Sequence, residues 1–417
     1  MNVSVTQSGK LTRTRLLKAP SLIAATLLGC LSAVASAGEY EQAKRMHDRL
    51  VGAPATEPVL NRMAADIAEG DAVAAAYTAM EDPRFYSVTV KNWVTPWTNR
   101  DQNIFRPLND YTATVIGYVR DQRDFRGLLY DDVIYTGAAN LGLPEYSNSN
   151  NSHYEQLQAQ NLDLSDPAVL VETAQSSVTG LPAEATSGVI TTRAAARAFF
   201  YAGTNRAMFR YTLMNHLCND LEQVQDATRA PDRIRQDVSR SPGGDSRVFL
   251  NNCSSCHSGM DPMAQAYAYY SWNYDTEADP EGNDGQIEYH GAGEIDPETG
   301  TRVQAKYHIN ANTFPLGYAT ANDNWDNYWR EGINKHLGWD ESLPSSGTGA
   351  RSMNTELAHS EAFASCQVKK VFSAVCLREP QDGNDRAQID AMVGSFSANN
   401  YNVKQVFAES ANYCKGE

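Results

Sequence analysis

The sequence predicts a mainly α-helical chain, with an N-terminal, mostly helical region and a C-terminal helical region broken by an irregular insertion. Three observations carry that prediction. Apolar residues recur at helical spacing near both ends of the chain. Residues 275–325 are dense in Gly, Asp, Asn and Pro and hold few helical runs. The composition, 42% apolar and 20% charged over 417 residues, is that of a globular chain long enough for two or three domains, and no fixed-period repeat runs through it.

The first 37 residues are set aside before the fold is read. Lys10, Arg13, Arg15 and Lys18 precede an apolar run over 22–34, which ends in Ala35-Ser36-Ala37. A basic start, a short apolar run and a small-x-small site are the marks of a secretory signal. The run is too short to span a bilayer comfortably, and no other stretch qualifies. A lipoprotein-type box at Leu27-Leu28-Gly29-Cys30 is the alternative, disfavoured by Leu before the small residue. Losing four basic side chains and no acid takes the formal charge from −15 to −19. Such a chain is a poor partner for nucleic acid and a plausible one for a basic redox protein, because opposite fields speed encounter.

Residues 38–185 form the N-terminal region. Tyr40, Ala43, Met46 and Leu50 predict a first helix stopped at Gly52. Val59, Leu60, Met63, Ala64 and Ile67 predict a second, ending near Gly70. A third starts after an Asp71 cap and stops before Pro83. Phe85-Tyr86-Ser87-Val88-Thr89-Val90 is β-branched and aromatic and reads as extended, with a loop through Trp93 and Trp97 after it. The stretch 111–119 has mixed propensity, and 146–165, rich in Asn, Ser and Gln, reads as a surface loop. The C-terminal region covers 186–417. Thr191 caps a helix through Ala195, Phe199 and Phe200, an amphipathic stretch follows over 208–214, and residues 275–325 make the insertion, with room for a small hairpin. Helix returns over 354–376 and 401–414.

The chemistry sits at Cys253-Ser254-Ser255-Cys256-His257, a C-x-x-C-H motif. Two thiols three apart can form thioethers to the two vinyl groups of one porphyrin, and the adjacent histidine becomes the proximal iron ligand. Cys253, Cys256 and His257 are therefore the expected attachment site of one covalent haem c. A zinc site would need further ligands at similar spacing, and no second C-x-x-C exists. A thioredoxin-type pair would sit between a strand and a helix, a setting not evident here. Met353, in the stretch 349–354 where a loop enters a helix, is the favoured sixth ligand, and both His257 and Met353 are expected on the iron. His216, His290, His308, His336 and His359 are alternatives, each read first as a surface or capping residue. Met260 and Met263 follow His257 too closely to cross to the opposite haem face and read as packing. Asp261-Pro262 predicts a sharp turn after the motif. Tyr267, Tyr269, Tyr270 and Trp272 read as aromatic core, with a haem wall as the alternative. The acids over 275–284 do not match a calcium loop in register.

Seven cysteines are present. Without Cys30 and the motif pair, Cys218, Cys366, Cys376 and Cys414 remain, an even number that suggests two disulfides in an exported chain. Cys366 and Cys376 lie ten apart on one expected helix, about 15 Å at about 1.5 Å per residue, too far to bridge. Each is expected to pair with Cys218 or Cys414, in an order left open.

The stretch from Cys253 to Met263 resembles the C-x-x-C-H-x-x-M-D-P-[LM] signature of planctomycete-type cytochrome c domain proteins. Phe363-Ala364-Ser365-Cys366-Gln367-Val368, with Phe372, is similar to the F-A-x-C-x-V-x-x-x-F helix of the same group. The two matches cover about residues 245–380. The resemblance implies a cytochrome c-like helical haem domain in an exported protein and electron transfer with a periplasmic partner. The insertion at 275–325 departs from the group's usual spacing. A chain this long also admits other roles: a haem-bearing subunit of a periplasmic oxidoreductase, a peroxidase-like enzyme, or a surface assembly protein with structural haem.

Overall fold

The N-terminal and C-terminal helices pack on one another, and the motif helix packs instead against the Arg206–Thr212 helix and the strand Asn324–Asp326. The computed structural model describes residues 37–237, 251–312 and 315–416. The expected secretory signal apart from Ala37, the lipoprotein-type box and residues 248–250 just before the motif lie outside the described residues. Helices α1 (Glu39–Val51), α2 (Glu57–Ala68) and α3 (Ala72–Ala79) form the first layer. Their apolar stripes are Ala43, Met46 and Leu50 on α1, Leu60 and Met63 on α2, and Ala75, Ala76 and Ala79 on α3, all buried. Gly52, at φ 72°, ends α1, and the Asp71 carboxylate accepts the amide of Ala74 to start α3.

Next come α4 (Asp110–Arg120), α5 (Ser152–Ala159) and α6 (Arg206–Thr212), then the motif helix α7 (Ser254–Ala264). The C-terminal layer holds α8 (Gly349–Ala358), α9 (Glu361–Cys376), α10 (Gly383–Ala398) and α11 (Val403–Cys414). Helix α11 packs on α1, α3 and α9 together. Its Phe407 ring meets Phe85 at 5.2 Å and Trp93 at 5.3 Å, edge to face. Burying such a ring contributes about 1.5–3 kcal/mol. One core cluster thus draws on both sides of position 185, and Arg351 of α8 reaches the Thr186 carbonyl at 3.0 Å.

Strands are few and short. Antiparallel pairs join β1 (Ile134–Gly137) to β2 (Leu170–Thr173), β3 (Tyr270–Asn273) to β4 (Gln286–Tyr289), and β5 (Asn324–Asp326) to β6 (Ser346–Thr348). The molecule is mainly helical, and the 275–325 insertion is irregular around the hairpin of β3 and β4.

Several local expectations are corrected. Phe85–Val90 is a π-helical turn running into helix Lys91–Val94, not an extended segment. Burial of Phe85, Tyr86 and Val90 on the helical core outweighs their β-propensity. The 146–165 stretch contains α5, because His153, Tyr154 and Leu157 share a buried face. Thr192, not Thr191, caps the next segment, accepting from Ala195, and its helix widens to a π-turn at Ala196–Phe200. Helix α7 continues through Asp261-Pro262 to Ala264 instead of turning. A proline removes one helix hydrogen bond, but Met260, Met263 and Ala264 are buried, and that packing keeps the last turn helical.

No helix among the described residues is long and apolar enough to cross a membrane. Cys218 lies opposite Cys366, and Cys376 opposite Cys414, with Cα–Cα separations of 5.2 and 5.5 Å, both within bridging range. Helix α9 keeps Cys366 and Cys376 apart, as ten residues of helix require.

Candidate functional site

Cys253 caps the N-terminus of α7, and its carbonyl accepts the amides of Cys256 at 3.3 Å and His257 at 3.2 Å. Those two bonds wind the motif into a first helical turn. Cys253 and Cys256 then stand one turn apart, with His257 beside them. Both thiols are unbridged and part-buried. Burial pushes the Cys256 thiol up from its ordinary value, with the Glu222 carboxylate adding to the effect. That direction runs against a redox-active C-x-x-C pair, whose nucleophilic thiolate needs a lowered value.

His257 is held from behind. Its Nδ1 lies 3.2 Å from Oδ1 of Asp261, one turn along α7. A carboxylate only accepts, so Nδ1 is the donor across this contact. Asp261 is fully buried and is itself gripped by Arg206, whose Nε reaches Oδ1 at 2.7 Å and whose Nη2 reaches Oδ2 at 2.9 Å. The backbone amide of Arg235 adds a bond to Oδ2 at 3.2 Å. Asp237 takes the other edge of Arg206, at 2.9 and 3.1 Å, and Thr204 takes Nη1 at 2.6 Å. Burial alone would raise the Asp261 carboxyl, but the charges of Arg206, His257 and Arg235 outweigh it and hold it well below the usual carboxylate range.

Helix α7 reaches the core through a close approach at Gly259. A Cβ there would stand 2.0 Å from Nε1 of Trp329, so only glycine lets that indole lie against the helix. Met260 and Met263 are buried beside it, as packing residues. Tyr267, Tyr270 and Trp272 join the same core, whereas Tyr269 packs with Val303 and Tyr307 in a small separate cluster.

Met353 is fully buried on α8. The helix begins at Gly349, so Met353 sits inside its second turn and not on a loop. Helices α7 and α8 meet through the turn Gln265–Tyr267 and strand β5. The other histidines have partners of their own: His290 with the Arg302 carbonyl, His308 with that of Thr320, His336 with that of Ile333. His359 is the C-cap of α8, its ring on the Thr355 carbonyl at 2.9 Å. His216 is neither surface nor cap. It is buried against the rings of Trp97 and Phe363, with Nε2 at 2.8 Å from the Tyr111 hydroxyl. Burial, and Lys370 nearby, hold it well below the ordinary histidine range.

Sequence reasoning found the three motif residues and missed Asp261 and Arg206. The signal for Asp261 was present, since a carboxylate four residues after a histidine on one helix faces it. Reading Asp261-Pro262 as a turn hid that spacing. Two unbridged thiols one turn apart and an imidazole held at Nδ1 by Asp261 are the residues that could hold a covalent haem. Among the described residues no three His, Cys, Asp or Glu side chains gather as a metal cage. The chain matches no family model, no curated protein and no solved structure.

Proposed function

We propose that the chain is an exported c-type cytochrome, holding one haem through Cys253, Cys256 and His257 and exchanging electrons with a protein partner outside the cytoplasm. The observation that supports the reading is what stands behind His257: a buried, Arg206-clamped Asp261 on Nδ1, an arrangement that would orient the ring for ligation through Nε2. Metal-ligating histidines commonly donate their other ring N–H to a carboxylate or carbonyl, which fixes the ring and raises its basicity. A haem iron takes four of its ligands from the porphyrin, so it needs no protein cage. The bound haem would supply one-electron chemistry. The chain's own part is to tether it, orient His257, and hold the Asp261 charge that bears on the potential.

In the finer reading, residues 186–417 are a cytochrome c-like haem domain and Met353 is the sixth ligand. Two facing cysteine pairs agree with an oxidising compartment. A charge of −15 favours a basic redox partner.

The test is expression in a host with haem-attachment machinery. The reduced protein should show c-type α and β bands that survive acid–acetone extraction, at one haem per chain. The variant Cys253→Ala/Cys256→Ala should fold without covalent haem. Extractable haem, or a folded wild-type protein with none, overturns the reading. Met353→Ala should abolish the far-red methionine–iron band of the ferric form, and an unchanged spectrum removes Met353.

A further inference from the structure

A second constellation lies away from the motif. A cavity of about 410 Å³ is lined by Arg106, Arg193 and Arg197, by several asparagines, and by the carboxylates of Glu155 and Asp284. Its size is within the range that takes a small molecule. No aromatic side chain lines it, and Pro107 and Ala194 are its apolar members. Arg193 is only 9% exposed. Its Nη2 is spent on the carbonyls of Ser149 and Asn283, at 3.1 and 2.7 Å. Arg197 meets the Asn283 side chain.

These guanidiniums carry donors that the fold leaves unmade, as do Arg229, Arg233 and Arg235 outside the cavity. Among the described residues, Nε of Arg106, of Arg193 and of Arg197 is buried without a hydrogen-bond partner. Neither Arg193 nor Arg197 has a carboxylate at ion-pair distance among those residues, and Arg106 reaches only the exposed Asp101, at 3.4 Å. A buried cationic donor left unmade is costly; the three Nε atoms have no surface in the cavity, and a ligand would be met by the parts of these side chains that line it. Burial lowers the proton affinity of Arg193 and Arg197, and the charge of Arg106 lowers that of Arg197 further, with Asp110 and Asp284 acting the other way on Arg193 and Asp279 and Asp284 on Arg197.

The chemistry of that ligand follows from the lining. A guanidinium fork matches a carboxylate or a phosphate. Three cations meet Glu155 and Asp284 in the lining, Asp101 beside Arg106 and Asp110 on the Arg193 amide, so the site has no positive charge to spare for a phosphate dianion and suits a monoanion better. Amide side chains offer a donor and an acceptor each, the pairing that hydroxyl groups use. The lack of aromatic walls disfavours a flat apolar ligand. We propose that this cavity binds a small hydroxycarboxylate of sugar-acid size, its carboxylate among Arg106, Arg193 and Arg197 and its hydroxyls on the surrounding amides.

The test is isothermal titration of the full mature protein at low ionic strength with D-galacturonate, D-gluconate, D-glucose and inorganic phosphate. At least one sugar acid should bind saturably, about tenfold or more tighter than glucose and phosphate. Arg197→Gln should weaken it by about tenfold to a hundredfold, the worth of a charge-assisted bond. Arg106→Gln, at a more exposed position, is the second variant and should weaken it less, with the melting temperature and visible spectrum unchanged. Absence of saturable binding, phosphate binding as tightly as the sugar acids, or equal binding in both variants overturns the proposal.

Discussion

Two arginine clusters in this molecule differ in one respect. Behind the motif, every nitrogen of Arg206 meets an acceptor, supplied by Asp261, Asp237 and Thr204. Around the 410 Å³ cavity, Arg106, Arg193 and Arg197 each keep a buried Nε with no partner among the described residues. In the first cluster Arg206 is satisfied within the chain and works as a support, although Arg235 beside it keeps a buried Nε and Nη1 without a hydrogen bond among the described residues. The second is incomplete, and its missing member is an anion. The residue type is the same, and the carboxylates within reach decide whether it serves the fold or a ligand.

The largest way to break the contrast is to open the closed cluster. Arg206→Met removes the clamp from two buried carboxylates, leaving Asp237 to Arg235 and Asp261 to His257 and the Arg235 amide. Breaking one partner out of a buried ion pair costs about 3–5 kcal/mol. Urea unfolding should register that loss. A change under about 1 kcal/mol would mean that the network is not closed in solution.

Asp261→Asn is milder, because the amide keeps the shape and can still accept. Loss of its charge-assisted bonds should cost about 1.5–3 kcal/mol. If haem is bound, the less polarised His257 imidazole should also raise the midpoint potential. A potential unmoved by this variant would detach Asp261 from the iron.

Acid should reach the closed cluster late. The Asp261 carboxyl is held well below its ordinary value, so its contribution is full above the unfolded value of about 3.9 and is lost as pH falls through the lower folded value. The melting temperature of wild type should fall more steeply below about pH 4 than that of Asp261→Asn. Parallel acid limbs would show that other carboxylates carry the acid sensitivity.

Neither cluster was legible in the sequence, although much around them was. Helices α1 to α3 declare themselves through apolar residues every three or four positions and through Asp71 and Gly52. Cys253, Cys256 and His257 are contiguous, so their chemistry needs no tertiary information. The ten-residue spacing on α9 excluded one cysteine pairing, and packing against Cys218 and Cys414 chose between the remaining two. By contrast Arg106, Arg193, Arg197 and Asn283 come from three separate stretches, and Arg206, Asp237 and Asp261 from three more. Only the closed fold brings them together. Local propensity also misleads where burial overrides it, as in the π-turn Phe85–Val90 and the helix through Pro262. Helix α10 left a sparse signal, with Ile389, Met392 and Phe396 as its buried apolar residues.

The smallest expected effect sharpens the contrast most. Arg197→Gln removes one charge from a side chain with no carboxylate at ion-pair distance among the described residues, so it breaks no ion pair and relieves repulsion from Arg106. Its change in stability should lie within about 0.5 kcal/mol of zero, like a surface substitution and unlike Arg206→Met. Added salt screens exposed like charges. Wild type should therefore gain more melting temperature with ionic strength than Arg197→Gln. If Arg197→Gln instead costs as much as Arg206→Met, then Arg197 is a structural cation after all, and the two clusters are of one kind.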